Sequence, residues 1–380
     1  MDNKNSRRLI RVFLGLLVSL TVLNALTPPR TFSENENRVL AQFPQGDLRA
    51  LLSGELAIRL QQWFDDQFVF RDQWIALKTI SERMLGKIES NQVYFGKQRQ
   101  LIAATLISDT TSMHRNGEFI LNFARQVDLP VSVMIVPSAA LLDQQQLPWL
   151  ALNSDQTALL KQISDQLSPQ VEVLEVTEAL RQQREQLPPG QTLYFKSDHH
   201  WTAWGAYAGA RVFLQSIGET PLQPHTEIQY RVAAQHFQGT LVSRSGAFWH
   251  AGDPIVVWDW RDPVDYSVEY DQSGVKEDSL FSWRKLDQKD KYQVYLDGNH
   301  ALTEIQTERE DKERLLVIKD SYAHVMVPYL VPHFSEILMA DLRYYRLSLS
   351  DLIREHQIDR ILIVYSLDQF CNEANLVWLR

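Results

Sequence analysis

"RLLVIKDSYAHVMVPYLVPHFSEILMAD", residues 314–341, places two short apolar runs on either side of a proline-broken stretch. "RLLVIKD" reads as a buried strand and "EILMAD" as another. Between them "SYAHVMVPYLVPHF" reads as a helix interrupted by its prolines, which lack the amide a helix interior needs. The alternation continues with "LSLSDLIREHQ" (347–357) as a helix and "DRILIVYS" (359–366) as a strand. Strands alternating with helices predict a parallel α/β sheet covered on both faces. Working towards the N-terminus, "LPVSVMIVPSA" (129–139) and "VEVLEV" (171–176) read as strands, with "NSDQTALLKQISDQL" helical between them. "TAWGAYAGARVFLQSI" (202–217) reads as a helix whose small face, Gly205, Ala206, Ala208, Gly209 and Ala210, allows close packing on a sheet. Residues 218–310 change character. Scattered tryptophans, Gly-Asp turns and pieces such as "IVVWDW", "YSVEY" and "YQVYL" predict a β-rich insertion.

The chain start has its own pattern. Lys4, Arg7, Arg8 and Arg11 precede an apolar run from Val12 to Leu26, which meets Thr27-Pro28-Pro29. A basic region followed by an apolar one marks an export signal. An uncleaved signal anchor with its basic end in the cytoplasm and a cleaved signal peptide both fit. Either places residues 30–380 outside the cytoplasmic membrane of a bacterium. Apolar and aromatic residues at helical spacing then run through Leu51, Leu52, Leu56, Leu60, Trp63, Phe64 and Phe68 to Trp74, Leu77 and Ile80, predicting one or two amphipathic helices. The expected organisation is a signal segment at 1–29, a helical segment at 30–100 and an α/β domain at 101–380 with its insertion at about 218–310.

With 380 residues, 44% of them hydrophobic, the chain can bury a sizeable core. Its net charge of −9, with no basic block beyond the N-terminus, argues against nucleic acid as a partner. Cys371 is the single cysteine, which excludes an intrachain disulfide framework and a cysteine-rich metal site.

In parallel sheets ligands gather at the carboxyl ends of the strands. Ser321 lies there, directly after a strand and Asp320, where a serine hydroxyl meets free helix N-terminal amides that can stabilise an oxyanion. Such a hydroxyl needs a histidine base oriented by a carboxylate. "SDHHW", residues 197–201, offers Asp198 and His200. On a helix these two would point about 200° apart, so they can cooperate only in a turn. Two other readings stand beside this one. Asp198 and Ser321 could be helix caps. Alternatively, Asp198, His199 and His200 with His236 and His250 could ligate zinc, although adjacent histidines rarely point at one ion.

"SDHHWTAWGAYAG", the earlier "TFSENENRVLAQFP" and the later "QGTLVSRSG" and "LLVIKDSYAHVMVPYLVPHFSEILMADLRYY" together resemble the bacterial DHHW protein family, in order and over most of the chain. That family is distantly similar to SGNH-type hydrolases, above all to the extracytoplasmic proteins that O-acetylate alginate. The resemblance implies an SGNH-like, flavodoxin-like parallel sheet in which Asp198 orients His200, His200 deprotonates Ser321, and Ser321 forms an acyl-enzyme without a cofactor. His199 and Trp201 fall to sugar-facing or packing roles. The sequence departs from ordinary SGNH hydrolases in three ways: the histidine precedes the serine, Lys319 stands where glycine usually leads, and no Gly-x-Asn-Asp block supplies an oxyanion-hole asparagine. Oxyanion or substrate-binding roles are therefore expected from the Gly239-Thr240 loop, Tyr322 and Arg343, although Arg343 equally suits an ion pair with an aspartate. Trp201, Trp204, Trp249, Trp258, Trp260 and Trp283 offer flat faces for sugar rings. The expected function is acyl, above all acetyl, transfer to or removal from a cell-surface or secreted polysaccharide. For transfer, the resemblance implies a multi-pass membrane acyltransferase as partner. A non-catalytic polysaccharide-binding or assembly factor on the same fold is the alternative.

Overall fold

The computed structural model describes residues 3–36, 38–46, 48–168 and 170–379. They form two compact units, one comprising residues up to Lys87 with Val242–Trp249, the other Ile88–Leu241 and the chain from His250 on.

In the second unit eight strands make one sheet, in the order Lys276–Glu277, Tyr266–Tyr270, Leu302–Thr307, Glu336–Ala340, Arg314–Lys319, Arg360–Ser366, Val131–Val136 and Glu172–Val173. The last five are parallel; the first three extend the sheet antiparallel. Alternate side chains enter two separate cores, as a sheet covered on both faces requires. Leu315, Val317, Leu362, Val364, Met134 and Val136 pack on one side with helix Ala203–Ser216. Leu316, Ile318, Ile361, Ile363, Val133 and Ile135 pack on the other with helices Thr111–Gln126 and Gln156–Leu167.

Numbered along the chain, the parallel strands lie in the order 2-1-5-3-4. Starting the count at Arg314–Lys319 and continuing from Ser366 round to Val131 turns this into 2-1-3-4-5, the flavodoxin-like order. The chain is therefore a circular permutation of that topology. Arg314–Lys319 takes the place of the first strand, and its neighbours on the two sides lead away in opposite directions. The crevice at their carboxyl ends is the topological switch point where ligands bind in such sheets. The same permutation explains why the Asp198–His200 turn precedes Ser321 in the sequence.

Two expected strands differ. Of "VEVLEV" only Glu172–Val173 is extended, because Val176 turns into the core as the first residue of helix Val176–Glu185. "YQVYL" is a 3₁₀ turn at Lys291–Val294, and Leu296 and Asp297, both left-handed, end any extended backbone there. The β-rich region is divided: part of it extends the main sheet, and Ile228–Phe237 pairs with Asp253–Trp260 as a separate hairpin.

The first unit holds an apolar helix, Asn3–Leu26, a strand pair Phe32–Ser33 with Arg38–Val39, and helices Leu48–Leu52, Glu55–Gln67 and Arg71–Met84. Residues 4–26 of the first helix span about 34 Å at 1.5 Å per residue, long and apolar enough to cross a membrane. Buried Asp66 ties the unit together, accepting from Arg38 and from the Ala41 amide at 2.8 Å.

The small face of helix Ala203–Ser216 is needed for its approach to the Trp201 loop. A Cβ on Gly205 would press on the Leu193 carbonyl and lie 2.9 Å from Trp201 Cβ. Gly205→Ala is expected to lower stability by about 1–3 kcal/mol, the usual cost of overpacking, as measured by urea unfolding.

Candidate active site

The site begins with a closed loop. Tyr194 and Trp201 form an isolated antiparallel bridge, Phe195 donates its amide to the His200 carbonyl at 3.1 Å, and Thr202 donates its own to Leu193 at 2.8 Å. Within the loop, Asp198 Oδ1 accepts the His200 amide at 3.0 Å. This Asx-turn makes the Asp-x-His spacing productive, because it brings two side chains two residues apart onto one side. The Asp253 carboxylate fixes the preceding residues, accepting the Lys196 amide at 2.9 Å and the Ser197 amide at 2.8 Å, and Ser197 Oγ–H at 2.5 Å. Asp253 and Phe237 are paired at the loop end of the hairpin, so the inserted region holds the Asp198 loop in place.

Ser321 comes from the switch point. Asp320, fully buried at the end of Arg314–Lys319, accepts the Tyr322 amide at 2.8 Å and the amide and hydroxyl of Ser366 at 2.7 and 2.9 Å. It thereby ties the serine turn to the neighbouring strand. His200 donates Nδ1–H to Asp198 Oδ1 at 2.6 Å, the tautomer a carboxylate partner dictates, and its Nε2 accepts from Ser321 Oγ–H at 2.7 Å. Asp198 Oδ2 accepts the amide and hydroxyl of Thr240 at 2.7 and 2.9 Å. Burial alone would raise the Asp198 carboxyl, but His199, His200 and the Thr240 amide outweigh it and hold it well below the usual carboxylate range. Asp320 lacks a cation of that strength, and burial pushes it up. A carboxylate, an imidazole and a hydroxyl thus stand in series, the arrangement that activates a serine as nucleophile.

The cap readings go elsewhere. Thr202, not Asp198, caps helix Ala203–Ser216, through its hydroxyl to the Trp204 amide at 3.2 Å, and Asp320 rather than Ser321 serves the turn after the strand. Asp198, His199 and His200 do bring ligand atoms within 4.8 Å of one another. Yet both oxygens of Asp198 and both nitrogens of His200 are engaged in hydrogen bonds. His236 faces the Ala251 carbonyl and His250 the Arg99 carbonyl, so the set does not converge on an ion.

Gly239 and Thr240 sit at the aspartate end of the series. The Gly239 amide donates to Ser197 Oγ at 3.3 Å and the Thr240 amide to Asp198, so neither is free for an oxyanion. The Ser321 amide, by contrast, has no acceptor among the described residues. Tyr322 is buried and donates its hydroxyl to the His199 carbonyl at 2.5 Å. Trp201, fully buried, gives its indole N–H to the Tyr322 carbonyl at 2.9 Å and is a packing residue. His199 is half-exposed beside Thr240 Oγ1 at 2.7 Å. Arg343 grips Asp341 through Nε and Nη2 at 2.8 and 2.6 Å, and so is the ion-pair partner. Asp341 also accepts from buried Lys319 Nζ at 2.9 Å, and Lys319 in turn reaches His324 Nε2 at 2.7 Å. The residue that replaces the usual glycine therefore anchors an internal ion pair. Among the tryptophans, Trp204 and Trp258 are core, whereas Trp249 and Trp283 are partly exposed.

Tyr292 is the residue sequence reasoning missed. Its ring stacks on His200, with centroids 3.8 Å apart and planes at 9°, and its hydroxyl donates to the Ser321 carbonyl at 2.9 Å. The one signal was the tyrosine pair in "YQVYL", which alternation disguised as a strand. Asp253 was equally hidden, in a Gly-Asp turn.

Residues 125–299 match a family model described as an SGNH hydrolase-like domain of the acetyltransferase AlgX, a span that includes the Asp198–His200 turn and ends before Ser321. No curated protein matches. Among solved structures, a DHHW family protein from Eubacterium siraeum is similar over 77% of this chain and 96% of its own, at 20% identity and a TM-score of 0.64. Bacillus cereus PatB1 is similar over 72% of this chain and 95% of its own, at 19% identity and a TM-score of 0.61; it is also solved with a sulfonyl adduct. The chain has the SGNH-like fold, and its resemblance to DHHW proteins extends to that fold.

Because the folded Asp198 value lies below the ordinary unfolded one near 4, its contribution to stability is complete above about pH 4 and is lost as pH falls through the folded value. Asp198→Asn is expected to cost about 1–3 kcal/mol at pH 7. The gap to the unsubstituted protein should narrow at pH 3, as read by urea unfolding at both pH values.

Proposed function

We propose that the protein is an extracytoplasmic, serine-dependent acyltransferase or esterase that moves acetyl groups on a cell-surface or secreted polysaccharide. The observation that carries this reading is the unbroken series Asp198–His200–Ser321, at 2.6 and 2.7 Å, at the switch point of an SGNH-like sheet. The description of the matching family model as an acetyltransferase domain supports the acyl group chosen. The apolar N-terminal helix supports the location.

Ser321 Oγ attacks the carbonyl carbon of the acyl donor as His200 Nε2 takes its proton. The resulting imidazolium is stabilised by Asp198 and by the face of Tyr292. The tetrahedral oxyanion is met by the Ser321 amide. Collapse returns the proton from His200 to the departing donor oxygen and leaves an acyl ester on Ser321. A sugar hydroxyl, or water in an esterase, then gives its proton to His200 and attacks that ester; as the Ser321 ester bond breaks, His200 returns the proton to Ser321 Oγ. In the transfer reaction the donor arrives from across the membrane, so a multi-pass acyltransferase is the partner required.

The test exposes the full chain to an activated acetyl ester, or to a sulfonyl fluoride, followed by intact mass and peptide mapping. An adduct on Ser321, absent from Ser321→Ala and His200→Ala proteins with unchanged circular dichroism, is the expected outcome. A folded protein that acquires no adduct, with glycan binding retained in Ser321→Ala, would instead make it a polysaccharide-binding factor.

Tyr292 separates two contributions. Tyr292→Phe keeps the stack and loses one hydrogen bond, and is expected to reduce kcat by up to about 10-fold. Tyr292→Leu also removes the aromatic face, and is expected to reduce kcat by about 10-fold or more beyond that and to shift the acidic limb of the pH–rate profile.

A further inference from the structure

Among the described residues, the first unit leaves a largely apolar stripe exposed. At about 100° per residue, Trp74, Leu77, Ile80 and Met84 of helix Arg71–Met84 share an arc of about 120°, with Gln73 and Ser81 as its two polar members. All four are exposed, Leu77 by 51% and Met84 by 84%. The other side of the helix is satisfied within the unit: Thr79 is buried and donates its hydroxyl to the Ser245 carbonyl at 3.2 Å. The arc therefore has the width of a core-facing stripe but no core.

Its position along the chain says what covers it. The corner that opens this helix, Phe68–Phe70, is tied to the end of the apolar N-terminal helix. The Val69 amide donates to Asn24 Oδ1 at 3.0 Å. Gln67 and Arg30 exchange two hydrogen bonds of 2.8 Å, and Arg30 pairs with Asp72 at 3.3 Å. If residues 4–26 cross a membrane with Lys4, Arg7, Arg8 and Arg11 at the cytoplasmic side, Asn24 lies at the outer interface. These bonds hold the corner at the same depth, with exposed Phe70 on it and Trp74 one turn further. Aromatic residues at that level and an apolar stripe on a helix with a polar far side are the features of a segment lying in the headgroup layer.

We infer that helix Arg71–Met84 rests through Trp74, Leu77, Ile80 and Met84 on the outer lipid surface of the membrane that holds the chain's own N-terminal helix. This rests on the anchor reading of that helix. It gives the protein a second attachment to lipid, built from the segment that follows the anchor.

The only cysteine, Cys371, is buried and its thiol is pushed up to about 12, so an introduced cysteine can be labelled selectively. Full-length Leu77→Cys, Met84→Cys and Arg83→Cys proteins, each carrying a nitroxide, are reconstituted in vesicles of phosphatidylcholine and phosphatidylglycerol. Collision rates are then compared for oxygen, which concentrates in lipid, and a water-soluble nickel complex. Oxygen should dominate at Leu77 and Met84, and the nickel complex at exposed Arg83, which lies outside the arc, about 120° round the helix from its middle. Nickel dominance at Leu77 and Met84, in protein that stays with the vesicles through an alkaline carbonate wash, would overturn the inference and leave the anchor reading standing. Shielding of both labels from both reagents would also overturn it, in favour of a protein partner. Release by the wash would overturn the anchor reading, and this inference with it.

Discussion

Two turns that are far apart in the chain meet because each holds the other's backbone. Trp201 gives its indole N–H to the Tyr322 carbonyl, and Tyr322 returns its hydroxyl to the His199 carbonyl. Both bonds lie where water hardly reaches, so breaking one would strand a buried polar group at a cost of about 1–3 kcal/mol. The His200–Ser321 distance is thus set by bonds outside that pair. Tyr292 adds a third constraint, with its ring on His200 and its hydroxyl on the Ser321 carbonyl. An imidazole so confined has little rotameric freedom to lose when a substrate arrives, which is the physical content of a preorganised site.

The support is polar throughout, and it is saturated. Asp198, Asp253 and Asp320 are buried carboxylates, and each accepts three hydrogen bonds from amides and hydroxyls of its own or a neighbouring loop, Asp198 taking a fourth from the His200 imidazole. Lys319 and Arg343 share Asp341 in the same manner. Such networks rigidify only when complete, because a half-satisfied one in a low-dielectric interior costs more than an apolar core. The inserted hairpin belongs to this network: its loop end supplies Asp253, and without it the loop carrying Asp198 would have loose amides at Lys196 and Ser197.

The parallel strands were legible because burial on both faces makes them continuous apolar runs, as in "VSVMIV" and "RILIVYS". Asp198, His200 and Ser321 could be singled out because a serine after a buried strand needs a histidine and a carboxylate, and the resemblance to DHHW proteins supplied the pair; by residue type alone, helix caps and metal ligands stood equally open. Tyr292 and Asp253 could not, since their partners are set by a 3₁₀ turn and a hairpin register that no local pattern reveals. Alternation misled at "YQVYL", where Tyr292, Val294, Tyr295 and Leu296 are all buried and the two tyrosine hydroxyls donate to the Ser321 and Val256 carbonyls, an arrangement a strand of alternating faces does not give. The oxyanion loop was misjudged for a related reason: a glycine-threonine pair looks unoccupied until the aspartate that takes its amides is placed beside it.

The permuted strand order also governs when the site can come into being. His200 and Ser321 are 121 residues apart, and the strand that delivers the serine is completed only after the hairpin and the antiparallel extension have been synthesised. Closing so long a loop is entropically expensive, and contacts of this range slow folding. In the unpermuted topology the serine strand would be made first and wait for its base. Here the base is made first, and the nucleophile arrives as the middle of the sheet closes, so the serine hydroxyl becomes activated only in the step that completes the sheet.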